Sequence, residues 1–418
     1  MGEVKKQLAL VYAGYFFRYV YLLVLIPYYA RVLGAEAYGV VVASMTVYTM
    51  VWTVQNWGFS GAGSRNIATS SGSLERQQHE LARHMTARLI LLPAALLVGA
   101  LTIYTAPLLR DHMASSIAAM VCGVLAGFNV GWFFQGRMNF NTPIVIEILG
   151  FISMLTMVLI FVREPADNEL VMPLLLTSTL ASTALAYALV RKIVRIGLAD
   201  FAAGWALIKE SFPLFISAGT WALMLNIGTY SLAMLSTPEQ VAYFGTAEKV
   251  VSTGLALLGP AGQFFVTWFS KMVHESASQG DVLSRQMQAS RWVTAGGAIA
   301  TVSCLTFVPP VLDFALGSKF VGASEILRLL SPLFLLAAFN HAVAVYLLLP
   351  RRLDRIVSMA AAASAVAGVA LTVWGASVHG GAGAAVGRIA GEVVYTVILV
   401  AYCYQNRGTL FAARADRA

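Results

Sequence analysis

Two basic side chains in this 418-residue chain sit where a charge is hard to keep. Arg18 lies about ten residues into the apolar run 8–30, and Lys249 about eight residues into the run 241–267. At roughly 1.5 Å per helical residue, each approaches the middle of a membrane-crossing helix. A charge at that depth costs at least ~2.5–3.5 kcal/mol on insertion scales, so one that remains faces a cavity or a partner. Cations in such a cavity hold anions, and the guanidinium fork suits phosphate. Tyr15 and Leu22 share the face of Arg18 at helical spacing, while Ser252 and Thr253 extend a polar face from Lys249. Glu248 points about 100° away from its neighbour Lys249 and is not its direct partner. The competing roles are structural: backbone bonding or snorkelling for Arg18, an ion pair for Lys249.

Other polar groups lie deep in the apolar runs. Arg388 and Glu392 are spaced i, i+4, which suits a self-neutralising pair and, alternatively, a proton or ion relay. Glu147 stands one turn inside the run 143–162 and is a gate or proton acceptor, or else a solvated helix end. Asn226, Tyr230 and Asn340 are candidate ligand-binding groups, each in competition with a role as interhelical glue. The ladder Gly383, Gly387, Gly391 has the four-residue spacing of a small-residue seam between helices, and a phosphate loop is not expected there. Cys122, Cys304 and Cys403 each lie within an apolar run and form neither a CxxC pair nor a Cys/His cluster, so no disulfide framework or zinc site is expected.

The elements that hold these residues are apolar helices. Residues are 58% hydrophobic and 11% charged, with mean hydropathy +0.73, whereas a soluble domain carries nearer a quarter charged residues. Crossing a hydrocarbon core of about 30 Å takes about 20 helical residues. The pattern predicts twelve spans near 8–30, 39–60, 86–107, 115–134, 143–162, 170–190, 210–232, 241–267, 291–309, 326–349, 356–377 and 382–404. The N-terminal run, with Arg18 in its middle, is read as an uncleaved first helix. Lys and Arg gather in alternate connections, among them Lys5, Arg76, Arg137, Lys192, Lys271 and Arg352. The positive-inside rule then places both termini in the cytoplasm. The net charge of +8 is thereby explained by loops, with no stripe that would bind nucleic acid. No GxxxxGK[ST] motif is present, so the chain itself is not expected to hydrolyse ATP.

The basic connection near 191–209 divides the spans into two sets of six, giving lobes 1–205 and 206–418. A faint repeat relates them. Gly39 precedes Arg65 by the same separation as Gly245 precedes Lys271, and Trp132 precedes Arg137 as Tyr346 precedes Arg351. The expected class is an all-α polytopic membrane protein of two pseudo-symmetric six-helix lobes around a central cavity, with a ligand site near the midplane.

Seven segments carry a resemblance: ARVLGAEAYGVVV (30–42), NWGFSGAGSRNIA (56–68), WFFQGRMNF (132–140), ESFPLFISAGTWALMLNIGTYSLA (210–233), VAYFGTAEKV (241–250), FALGSKFVGASEILRLLSPLFLL (314–336) and GAGAAVGRIAGE (381–392). In series the chain resembles the Wzx-type polysaccharide or O-antigen flippases of the multidrug/oligosaccharidyl-lipid/polysaccharide exporter superfamily. The resemblance implies translocation of a polyprenyl-diphosphate-linked oligosaccharide across a bacterial inner membrane by alternating access, without covalent chemistry. It implies no cofactor and an ion gradient as the driving force, with proton and sodium both open. A polysaccharide polymerase and a chain-length regulator are the candidate protein partners. Lys249, in VAYFGTAEKV, falls where the family carries a basic residue, and Arg18 fits the expectation of a cation in the first helix. An alternative is an extruder of organic cations from the same superfamily, which would use acidic cavity groups. Another is a membrane polysaccharide polymerase, which would need a larger external loop than REPADNE at 163–169.

Overall fold

The computed structural model describes residues 2–70, 72–275, 279–317 and 320–410, with side chains from residue 24 onward except at 217, 260, 263, 274–279, 409 and 410. Every regular element among them is a helix. This follows from the solvent: in lipid a helix satisfies its own backbone donors and acceptors, while an open strand does not. The expected all-α polytopic class is the one observed.

Helix length alone does not test the expected twelve spans, because two of the long helical stretches each hold a pair of them. Among the described residues seven helices are long and apolar enough to cross a membrane, or up to nine when each of two bent pairs is taken as one span. Runs 8–30 and 39–60 share the stretch Gly2–Asn56, two helices that meet at a kink at Gly34 with φ 76°. Runs 356–377 and 382–404 likewise share Asp354–Gln405, folded at His379 and at Gly380 with φ 56°. Both glycines occupy backbone conformations that a Cβ disfavours. Conversely, the run 241–267 falls on two shorter helices, Pro238–Leu255 and Leu258–Glu275.

The 52 residues of Asp354–Gln405 would extend about 78 Å if straight, more than twice a hydrocarbon core. They fold instead into a hairpin whose arms meet along small residues. A Cβ on Gly383 would lie 1.9 Å from the Gly375 carbonyl oxygen, and one on Gly387 2.4 Å from that of Leu371. Further along, Ser364 Oγ donates to the Gly391 carbonyl at 2.7 Å. The Gly383, Gly387, Gly391 ladder is therefore the seam of this hairpin.

By its internal packing the chain divides into two compact units, Met1–Ala242 and Tyr243–Ala418, so the helix Phe201–Leu235 packs with the first. In the first unit a left-handed pair, Trp57 and Gly58 (φ 46° and 76°), ends one helix and starts Phe59–Thr69. Trp57 stacks on Phe215 with ring centroids 3.7 Å apart and donates its Nε1 hydrogen to the Ile208 carbonyl at 3.0 Å. The aromatic run Trp132, Phe133 and Phe134 is buried against Ile67, Leu81 and Met85.

In the second unit Phe265, Trp268, Phe269 and Tyr346 form the corresponding aromatic cluster. Tyr346 belongs to a π-helical segment, Ala342–Leu348. Such a wide turn leaves helix carbonyls without their usual donors, and Gln286 Nε2 supplies one to Tyr346 at 2.6 Å.

Candidate functional site

Unit Tyr243–Ala418 holds a polar network inside otherwise apolar packing. Arg388 and Glu392 face the same way on the second arm of the hairpin, and Arg388 Nη1 lies 3.3 Å from Glu392 Oε1. The other carboxylate oxygen of Glu392 accepts from Asn340 Nδ2 at 3.0 Å. Thr396 Oγ1 is 2.8 Å from both Asn340 Oδ1 and the Glu392 carbonyl. Asn340, Arg388 and Glu392, three of the sequence-derived candidates, are thus one cluster. The Asn340 amide is bonded within that cluster.

Glu248 is a member the sequence reading set aside. Its carboxylate Oε1 lies 3.9 Å from Arg388 Nε, and both residues are 5% exposed. Neither oxygen of Glu248 has a hydrogen-bond partner among the described residues. Its position was partly legible. Placing it about 100° round the helix from Lys249 turns it inward when Lys249 faces out, and Lys249 is exposed.

The remaining candidates lie elsewhere. Asn226 and Tyr230 share a face of Phe201–Leu235 at i, i+4 spacing. Asn226 lines a mainly apolar cavity of about 350 Å³ with Met50, Thr53, Val98, Phe215 and Leu223. Its Nδ2 donates to the Ala222 carbonyl of its own helix at 2.7 Å. The Tyr230 hydroxyl meets Thr105 Oγ1 at 2.5 Å, tying its helix to Leu74–Thr105. Glu147 is half-buried on Asn141–Phe161. Arg18 lies outside the residues whose side chains are described.

A second buried cation was missed. Arg88, at the start of the run 86–107, is fully buried. Its guanidinium lies 5.8 Å from the Phe59 ring centroid and 5.6 Å from that of Trp132. None of its three side-chain nitrogens has a hydrogen-bond partner among the described residues. Rings of this kind offset part of the cost of burying a cation.

The described residues thus define a helical protein with several helices long and apolar enough to cross a membrane, and with charged side chains buried among them. Solved structures agree on the fold. An inward-facing multidrug resistance MATE family transporter of the MOP superfamily superposes with TM-score 0.70 at 14% identity, covering 94% of this chain and 95% of that one. Lipid II flippase MurJ, in an inward closed conformation, gives 0.67 at 11% identity, covering 95% and 87%. The sequence model described as "Polysaccharide biosynthesis protein" matches residues 4–273, so the chain belongs to that family. A relative named "Putative O-antigen transporter" from Shigella dysenteriae is 21% identical over 368 residues, 85% of this chain and 88% of that protein.

Proposed function

We propose that this protein is a flippase, carrying a polyprenyl-diphosphate-linked oligosaccharide from the inner to the outer leaflet of a bacterial inner membrane for O-antigen, capsule or exopolysaccharide synthesis. The observation that carries the reading is the family match over residues 4–273, which the Shigella relative extends to 85% of the chain. The step is binding and release, with no covalent chemistry.

The chemistry of the substrate fits the residues. A lipid diphosphate is a large anion that must leave water, and it needs cations at depth. Arg18 and Lys249 are the groups we assign to the diphosphate. Asn226, Tyr230 and Asn340 are polar groups for the sugar-bearing head, with Asn226 already lining a cavity. Glu147, Arg388 and Glu392 are assigned to coupling or gating, driven by an ion gradient as the alternating-access scheme requires. Both termini lie in the cytoplasm in this reading, because the basic connections fall on that side. A polysaccharide polymerase and a chain-length regulator are the partners that would receive the translocated lipid.

The test is the lipid extract of a deletion strain, measured by mass spectrometry with and without a complementing copy. Build-up of a polyprenyl-diphosphate oligosaccharide, cleared by wild type and not by Lys249→Ala, is the expected result and names the glycan. Unchanged lipids together with increased sensitivity to organic cations would assign the protein to drug extrusion instead.

A further inference from the structure

We propose that Glu248, Arg388 and Glu392 form a proton site, with Glu248 the carboxyl that takes up and releases the proton. Three observations lead there. The cluster sets two carboxylates against one guanidinium, at 3.9 Å and 3.3 Å, with Glu248 and Arg388 buried and Glu392 part-buried. Removing charge from water costs several kcal/mol per ion even after relaxation, so a buried cluster with one excess negative charge is under pressure to lose it. One proton brings the count to neutrality.

The proton goes to Glu248 because the two carboxylates are unequally supported. Glu392 is bonded at both oxygens, to Arg388 and to Asn340 Nδ2. Glu248 is 5% exposed, its oxygens have no hydrogen-bond donor among the described residues, and Arg388 faces it at the long end of ion-pair distance. The step is a single proton transfer: an O–H bond of hydronium breaks, one forms on the Glu248 carboxylate, and water is left behind.

The surroundings favour a proton over a metal ion. Arg388 and the Asn340 amide direct N–H donors at both oxygens of Glu392, and the resident guanidinium repels a second cation. On its own helix Lys249 points about 100° away and is exposed. On Val321–Leu330, Glu325 and Arg328 are both exposed. On Pro332–His341, His341 packs against Tyr346 with ring centroids 5.5 Å apart. The charges facing Glu248 are therefore Arg388 and Glu392.

Glu248 and Arg388 belong to different helices, Pro238–Leu255 and the hairpin. Neutralising Glu248 removes the attraction that holds them together, which couples the proton to helix position. That coupling role rests on the transport reading above; the proton site does not.

The experiment is pH-difference infrared spectroscopy of the purified protein in phosphatidylcholine vesicles. Wild type is expected to show a carbonyl band of a protonated carboxyl at the high-frequency edge, where an acid without hydrogen-bond partners absorbs. The band should be lost in Glu248→Gln, displaced in Glu248→Asp and retained in Glu325→Gln. It should be the same in sodium chloride as in choline chloride. Absence of the band in wild type, its survival in Glu248→Gln, or its removal by sodium alone would overturn the proposal. Should Glu248→Gln not fold, the Glu248→Asp displacement decides. A band that behaves as expected in a protein that clears no lipid from the deletion strain would keep the proton site and reject the flippase reading.

Discussion

Arg351 Nη1 donates to Gln286 Oε1 at 2.9 Å, and in the other unit Arg137 Nη1 donates to Gln77 Oε1 at 2.5 Å. Each arginine follows its buried aromatic, Tyr346 or Trp132, at equal spacing, and each glutamine lies toward the start of a long helix, Gln279–Thr306 or Leu74–Thr105. The repeat suspected from spacing is thus repeated in side-chain bonding. Gln286 also donates to the π-helical carbonyl of Tyr346 at 2.6 Å, whereas the second bond of Gln77, to the Ser70 carbonyl, is longer at 3.4 Å, so Gln286 has more to lose. Gln286→Leu is expected to destabilise by about 1–3 kcal/mol, the cost of leaving buried partners unsatisfied. Gln77→Leu should cost less. Thermal unfolding in detergent, with the Gln286/Arg351 double mutant completing the cycle, checks both.

The hairpin seam gives a steric test. Gly383→Leu would force side-chain atoms into the Gly375 backbone and is expected to abolish the folded, monodisperse protein. Gly61, with nothing within 4 Å of an added Cβ, should accept alanine without loss. Size-exclusion profiles of the two variants distinguish a seam from a general sensitivity of glycines.

Arg88 makes the opposite kind of prediction. A buried guanidinium without hydrogen-bond partners is a cost that ring contacts only partly offset. Arg88→Met keeps most of the volume and removes the charge, so it should leave stability unchanged or raise it by on the order of 1–4 kcal/mol. Arg88→Asp, burying the other sign, should prevent folding. A marked fall in unfolding temperature for Arg88→Met would show that the cation holds something the apolar side chain cannot replace.

For Lys249 the charge matters more than the shape. Charge-assisted hydrogen bonds contribute about 1.5–3 kcal/mol, so Lys249→Ala is expected to weaken transport by roughly tenfold to a hundredfold. Lys249→Arg should retain most of it. The level of accumulated lipid in complemented strains, at matched expression, reads the difference.

Much of this arrangement was legible from local spacing. The Arg388–Glu392 pair follows from i, i+4 geometry, and the hairpin seam from three glycines four apart. What was hidden depended on contacts between distant segments. Glu248 meets Arg388 across 140 positions of sequence, and no periodicity reports which inward-facing groups will meet. Arg88 sits where a hydropathy window sees a polar helix end, although Phe59 and Trp132 from other segments enclose it. Hydropathy likewise marks only apolar length, while Gly34 and Gly380 decide where that length breaks.

The hairpin also bears on how the chain is made. Its arms are joined by His379 and Gly380 with almost no loop, so very little polar backbone has to be dragged through the bilayer during biosynthesis. An isolated second arm would bring Arg388 and Glu392 into lipid with only each other for company. Delivered as a pre-zipped pair, the arm shields its glycine edge from acyl chains at once. The last two spans are therefore suited to enter the membrane together from the translocation machinery, and a ribosome stalled before residue 405 would leave the first arm without its mate.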